Sequence, residues 1–198
     1  MWSTNDYSYY HQSIGGYSAA KMRIYQDLMD FGRADGMGVF ARNIPDMLNA
    51  RYFWVEGRLP EQYPFQNLRI VYGGQEQLIY ENEQACGRAW FVGDYVQANS
   101  RDERFGLLKD QQFDVRQKAI LETELSQEID APANDSVFVE RLNPHEIALQ
   151  TQNDATSLLV VSEVFYPIGW KAFIDGKETP LYKTNHVLRS LVVPAGNH

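Results

Sequence analysis

The sequence predicts an α+β fold, a mixed sheet with two or three helices followed by a C-terminal antiparallel β-sandwich. Three observations carry that expectation. Aromatic residues fill 13% of the 198 positions, with twelve Tyr, ten Phe and four Trp, and flat rings pack well across neighbouring strands. Apolar residues recur at helical spacing in only a few short stretches, all before residue 110. Beyond residue 135, short strand patterns follow one another with turn residues between them, which is the spacing of a sandwich. A hydrophobic share of 44% against a charged share of 22% is that of an ordinary globular chain, long enough to bury a sizeable core.

Between Ile14 and Phe31, the residues Tyr17, Ala20, Ile24, Leu28 and Phe31 recur three and four apart, and Gly32 follows as a stop. One amphipathic helix is expected there, with its stripe on a sheet and Lys21, Arg23, Gln26, Asp27 and Asp30 towards solvent. "RADGMGVFARN" reads as a glycine-containing loop. In "IPDMLNARYFWVEG", Pro45 opens a short helix, Asn49 lies near its end, and Tyr52 to Val55 form a strand. "QNLRIVYGG", "EQLIYEN" and "RAWFVGDYVQA" are three further strands, divided by Gly73-Gly74 and by the polar run from Asn82 to Gln84. Ser100 and Glu103 stand at capping-box spacing, which sets a short helix over "SRDERFGLLKD", with "KAILETEL" a strand behind it.

"SQEIDAPANDS" mixes Pro, Asn, Asp and Ser without periodicity and is the expected boundary. It divides a helix-on-sheet region over 1–135 from a β-sandwich region over 136–198, the two packed as one unit. Strands in the second region are expected at 136–141, 145–151, 157–165, 169–174, 179–183 and 187–193, with an Asp175-Gly176 hairpin turn. The last of them runs into the turn Pro194-Ala195-Gly196, after which a partner strand is expected and is cut short.

The formal net charge is -8, from 26 acidic and 18 basic residues, and such a field repels polyanions, so nucleic acid is not an expected partner. Cys86 is the single cysteine, which leaves no internal disulfide and excludes a disulfide scaffold. No apolar run reaches the roughly 18 residues of a membrane helix. The start "MWSTNDYSYYHQSIGG" lacks the basic and apolar segments of a signal peptide, so the chain by itself reads as cytosolic.

His11, His145, His186 and His198 are scattered, and none has a partner at ligand spacing, so neither a metal nor another cofactor is expected. A nucleophile elbow and a phosphate loop are absent, and "GMGVFA" lacks the third glycine of a dinucleotide fingerprint. Glu122 and Glu124 lie two apart on an expected strand and would share a face, as an acid and a base or simply as a solvated edge. Asn134 to Ser136 has the pattern of a glycosylation acceptor.

Two stretches are richer than a core requires. In "YSYYHQSIGGYSAAK", Tyr9, Tyr10, His11, Ser13 and Tyr17 surround Gly15-Gly16 ahead of Lys21, at an expected helix start where free N–H groups receive anions. Its aromatics either grip a sugar or phosphate or cover a sheet edge, with the glycines supplying a turn. In "SEVFYPIGWKAFIDGKE", Glu163 interrupts an apolar strand near Tyr166, Trp170 and Lys171. A carboxylate there needs a partner, and Lys171, Arg189 or a hydroxyl is expected; Trp and Tyr beside it would also suit a carbohydrate.

These stretches resemble the YfhO-like family of bacterial multi-pass membrane proteins, in its large extracytoplasmic region. Tyr9, Tyr10, His11, Ser13, Ile14, Gly15, Gly16, Tyr17, Ala19, Ala20, Lys21, Tyr25 and Gln26 match a motif of that family. "DMLNARYF", "RAWFV" and "SEVFYPIGWKAFIDGKETPLYKTNHVLRSLVVPAG" are similar to later blocks, in order, so the resemblance spans nearly the whole chain. Two departures are Cys86-Gly87, where Leu-Pro is expected, and Ile168 as an extra or variable residue before Gly169.

The resemblance implies a parent glycosyltransferase that moves sugar from a polyprenyl-phosphate carrier to a cell-envelope polysaccharide. Its catalytic acid lies in a loop between early transmembrane helices outside this chain. The domain itself is then non-catalytic, extracytoplasmic (periplasmic), and tied to the membrane through those helices. Acceptor recognition or gating is its implied role, through Tyr9, Tyr10, His11, Ser13, Gly15, Gly16, Tyr17 and Lys21, with Glu163 and Trp170 a second patch. A free-standing carbohydrate-binding or protein-interaction module is the alternative.

Overall fold

Strand pairing, more than helix packing, organises the chain. The computed structural model describes residues 13–14, 21–33, 39–59 and 67–198. Among them are three helices and fourteen strands arranged in several sheets. The chain divides into two compact units, 1–85 and 86–198. No helix among the described residues is long and apolar enough to cross a membrane.

In the 1–85 unit, helix α1 spans Arg23–Phe31, shorter than the expected 14–31. Met22 is extended at its N-cap without a side-chain cap, so Lys21 precedes the helix rather than lying on its first turn. Gly32 ends it as expected, its N–H on the Leu28 carbonyl at 2.9 Å, and a Cβ on Gly32 would stand 2.5 Å from that oxygen. Two stripe assignments change: Asp27 is buried and pairs with Arg23 at 3.1 Å, while Phe31 is exposed. Helix α2 (Asn43–Met47) closes at Asn49, whose φ of 54° breaks the helical path.

Strands β1 (Tyr52–Glu56), β2 (Leu68–Gly73) and β3 (Gln77–Asn82) form an antiparallel sheet in the order β1-β3-β2. Asn82 joins β3 to α2 by donating to the Asp46 carboxylate at 2.7 Å, both side chains being buried. A buried amide and carboxylate satisfy one another there, which offsets the cost of removing both from water.

The 86–198 unit is built on β4 (Ala89–Val92), β5 (Asp94–Gln97), β6 (Lys118–Leu121), β9 (Ser157–Val164), β12 (Tyr182–Thr184) and β13 (Leu188–Val193). Their order is β4-β9-β13-β12-β6-β5, with β5 and β6 parallel and the other pairs antiparallel. The expected single strand "RAWFVGDYVQA" is thus two strands at opposite edges, joined by Gly93 alone. Two edges one residue apart require the sheet to curl round on itself. A Cβ on Gly93 would lie 1.9 Å from the Ala131 backbone nitrogen, so only glycine lets the chain pass.

Helix α3 (Arg101–Lys109) supplies the crossover that a parallel β5–β6 pair needs. Its capping box is present in both directions, Ser100 Oγ accepting from Glu103 N–H at 3.2 Å and Glu103 accepting from Ser100 N–H at 3.1 Å. A second sheet runs β14-β8-β7, from β7 (Asp135–Asn143), β8 (Glu146–Asn153) and β14 (Gly196–Asn197). Phe91, Leu159, Val161, Leu191 and Val193 form a core cluster against Val137 of β7 and Leu149 of β8.

Segment 126–134 links β6 to β7 inside this unit, and β4, β5 and β6, placed before residue 135, share a sheet with strands beyond it. Of the strands expected beyond residue 135, 136–141, 145–151, 157–165 and 187–193 are present within a few residues, 169–174 begins only at Ala172, and 179–183 is broken at Pro180-Leu181 between two strands, Lys177–Thr179 and Tyr182–Thr184. The β10 (Ala172–Ile174) and β11 (Lys177–Thr179) hairpin turns on Asp175 and Gly176, both at positive φ as a primed turn requires. After Pro194 and Ala195 the chain does not fold back on β13; β14 crosses to pair with β8, Gly196 opposite Asn153.

Candidate functional site

The second of the two rich stretches is described in full. β9 and β13 pair in register up to Val161 opposite Arg189, and the next pair is Val164 opposite Leu188. Ser162 and Glu163 are therefore extra residues on β9, and such an irregularity re-aims side chains at a strand end. Glu163 is half-buried and accepts from Arg88 at 2.8 Å, a residue 75 positions earlier at the head of β4. Lys171, one of the expected partners, instead pairs with Glu178 across the β10–β11 hairpin at 3.1 Å.

Arg189 lies beside this pair. Its guanidinium donates to the Val164 carbonyl at 2.6 Å and stacks over the Trp170 ring, 4.3 Å from the centroid. Burial pushes the guanidinium below its ordinary value while the Glu163 charge opposes the change, and an arginine stays protonated through such a shift. Its Nε is buried without an acceptor among the described residues. A buried cation is retained here by an indole face, a carbonyl and a nearby carboxylate together.

The adjoining turn Tyr166-Pro167-Ile168-Gly169 closes with the Gly169 N–H on the Tyr166 carbonyl at 3.3 Å. Proline at its second position presets φ, and glycine at the fourth leaves room for the Tyr166 ring, which a Cβ would meet at 2.7 Å. Ile168 at the tip is 87% exposed, with Tyr166 and Phe173 also exposed nearby in sequence. A paired carboxylate and a cation-stacked indole thus stand at this strand end, next in sequence to an apolar turn tip. Glu163 is occupied by an ion pair, which suits orientation better than proton transfer.

Of the first stretch, Tyr9, Tyr10, His11, Gly15, Gly16 and Tyr17 lie outside the described residues. Ser13 is exposed and Lys21 half-buried. Because α1 starts at Arg23, seven positions after Gly16, the glycine pair does not open that helix and Lys21 is not at its first turn. Tyr25 ties the stretch to α1, its hydroxyl donating to the Ile14 carbonyl, and burial pushes that phenol up to about 12.

The acid pair is corrected as well. β6 ends at Leu121, so Glu122 and Glu124 do not share a strand face. Glu122 instead contacts Lys183 at 2.7 Å and buried Arg104 at 3.3 Å. Arg104 also donates to the Ala98 and Asn99 carbonyls and to His186 Nδ1 at 3.2 Å. His186 and Asn185 both have positive φ, and Asn185 exchanges hydrogen bonds with the Ile120 backbone at 2.8 Å.

Sequence reasoning passed over this buried cluster. Its one local signal is Asn-His at a strand turn, a pair tolerant of the left-handed region. Among the described residues no group of His, Cys, Asp or Glu has the arrangement of a metal site. No family model matches the chain, nor does any curated protein or solved structure, so the resemblance rests on the motifs quoted for it.

Proposed function

We propose that the chain is the extracytoplasmic, non-catalytic portion of a YfhO-like membrane glycosyltransferase, recognising or gating a cell-envelope acceptor, with 86–198 a sandwich-like α+β module. The observation that carries this reading is Arg189 held over Trp170 at 4.3 Å beside the Arg88–Glu163 pair. Sugars are held by ring faces together with fixed donors and acceptors; half-buried Trp170, backed on one face by Arg189, and the fixed Arg88–Glu163 pair are the groups that would supply them. The polyprenyl-phosphate sugar is then a partner of the parent protein, reached through transmembrane helices outside this chain.

Purified envelope polysaccharide titrated into the 198-residue chain should change Trp fluorescence and saturate. Trp170→Ala should weaken that binding about tenfold, and a flat signal from the unaltered chain sinks the reading. The parent protein is tested separately: the reading frame beyond His198 should encode an apolar segment of about 20 residues. In that full-length protein, His11→Ala and Lys21→Ala should lower sugar transfer without unfolding the domain. The exposure of Ile168 favours a second reading, a protein-interaction module. Capture of a polypeptide partner that Ile168→Ser abolishes, with no response to polysaccharide, would select it.

A further inference from the structure

We propose a second glycan-binding surface on the more exposed face of the β1-β3-β2 sheet, formed by Arg51, Tyr52, Arg69 and Tyr72 around buried Glu81, with half-buried Trp54 beside them. It shares no residue with the Trp170 site and stands or falls on its own. Strand register creates it. Tyr52 and Arg69 both lie opposite Glu81, and Trp54 and Tyr72 both lie opposite Ile79, so one row is aromatic-acidic-basic and the next ends in two aromatics. The register shift between Ile70 and Tyr72 is what brings Tyr72 onto this face.

With strands about 4.8 Å apart, Trp54 and Tyr72 sit about 10 Å from one another, a span comparable to the repeat of a β-linked disaccharide. Tyr52 is 57% and Tyr72 58% exposed, so both rings are accessible to a ligand. Arg51 stacks over Tyr52 at 5.6 Å while donating to Glu81 through Nε at 3.1 Å and through its terminal nitrogen at 3.0 Å. Arg69 donates to the other Glu81 oxygen and to Glu83 at 3.0 Å.

Charge selects the occupant. Two guanidinium groups face the carboxylates of Glu81 and Glu83, so the face is close to neutral and an anionic ligand would have to displace a carboxylate already bound. Each guanidinium has five N–H groups, and those not engaged by carboxylate are held in a fixed plane on side chains that are about two thirds exposed. Fixed planar donors beside flat apolar rings match an uncharged polyhydroxylated chain, whose C–H faces lie on the rings while its hydroxyls accept from arginine.

Cellohexaose and chitohexaose titrated by calorimetry into the 198-residue chain are the probes. At least one should bind saturably; Tyr52→Ala and Tyr72→Ala should each weaken it about fivefold or more, and the double variant should abolish it. Arg69→Lys, which keeps charge but loses the fork, should also weaken binding. Phe138→Ala, an exposed aromatic of β7 outside both surfaces, should leave it unchanged, and melting temperatures of the tyrosine variants should match the unaltered chain. The proposal is overturned if neither hexasaccharide binds, if the tyrosine variants retain affinity, or if Phe138→Ala removes it.

Discussion

Two strands begin with the same pair of residues and meet opposite fates. β2 reads Leu-Arg-Ile-Val-Tyr-Gly and β13 reads Leu-Arg-Ser-Leu-Val-Val, yet five of the six residues in β2 are exposed and all six in β13 are buried. Among the described residues β2 is an edge strand with β3 as its single neighbour, whereas β13 lies between β9 and β12 and contributes Leu191 and Val193 to the core cluster. Apolar content therefore does not decide burial; the number of covered sides does. The 86–198 unit uses its apolar strands for a closed interior, and the 1–85 unit leaves Tyr52, Ile70, Val71 and Tyr72 in water.

Gly93 is where the 86–198 unit is most vulnerable. Gly93→Ala drives a Cβ into backbone, which cannot rotate away as a side chain would, and the turn that closes the curled sheet must open. A loss of about 4 kcal/mol or more is expected, seen as a collapse of the unfolding midpoint in urea. A variant as stable as the parent would show that the curl does not depend on that crossing.

Leu158 of β9 is fully buried and Ile70 of β2 is 49% exposed. Leu158→Ala should cost about 2–5 kcal/mol by leaving a cavity. Ile70→Ala should stay within about 0.5 kcal/mol. Equal costs in chemical denaturation would mean that β2 is covered in solution.

The smallest effect is one of pH. Hydrogen bonds from Arg51, with the charge and hydrogen bond of Arg69, hold the Glu81 carboxyl below its ordinary value against the opposing effect of burial. A carboxylate with a depressed folded pKa contributes stability above its unfolded value, about 4.3, and loses it as pH falls through the folded one. The β1-β3-β2 sheet should thus lose amide protection from hydrogen exchange selectively below about pH 4. Glu81→Gln should remove that pH step, and an unchanged step would assign it elsewhere.

Much of the local structure was legible beforehand. Ser100 with Glu103 announced α3, Asp175-Gly176 announced its hairpin, and the strands β7, β8, β9 and β13 fall close to their expected places. Each depends on residues a few positions apart. Less was legible of the sites. Glu163 was singled out as needing a partner, but Arg88 lies 75 residues away and nothing near Glu163 points to it. The platform around Glu81 was missed because Tyr52, Arg69 and Tyr72 come together only through β3, and Tyr72 only through a register shift.

By itself, then, the sequence determined where helices stop, where hairpins turn and where strands run, because caps, positive-φ turns and period-two patterns act over one or two turns of backbone. Tertiary structure decided which strands became neighbours. It split Ala89–Gln97 between opposite edges at Gly93, sent Gly196 to β8 instead of β13, and left β2 uncovered while burying β13. Those outcomes follow from closing a sheet around a common core, a condition on the whole chain that no short window of residues contains.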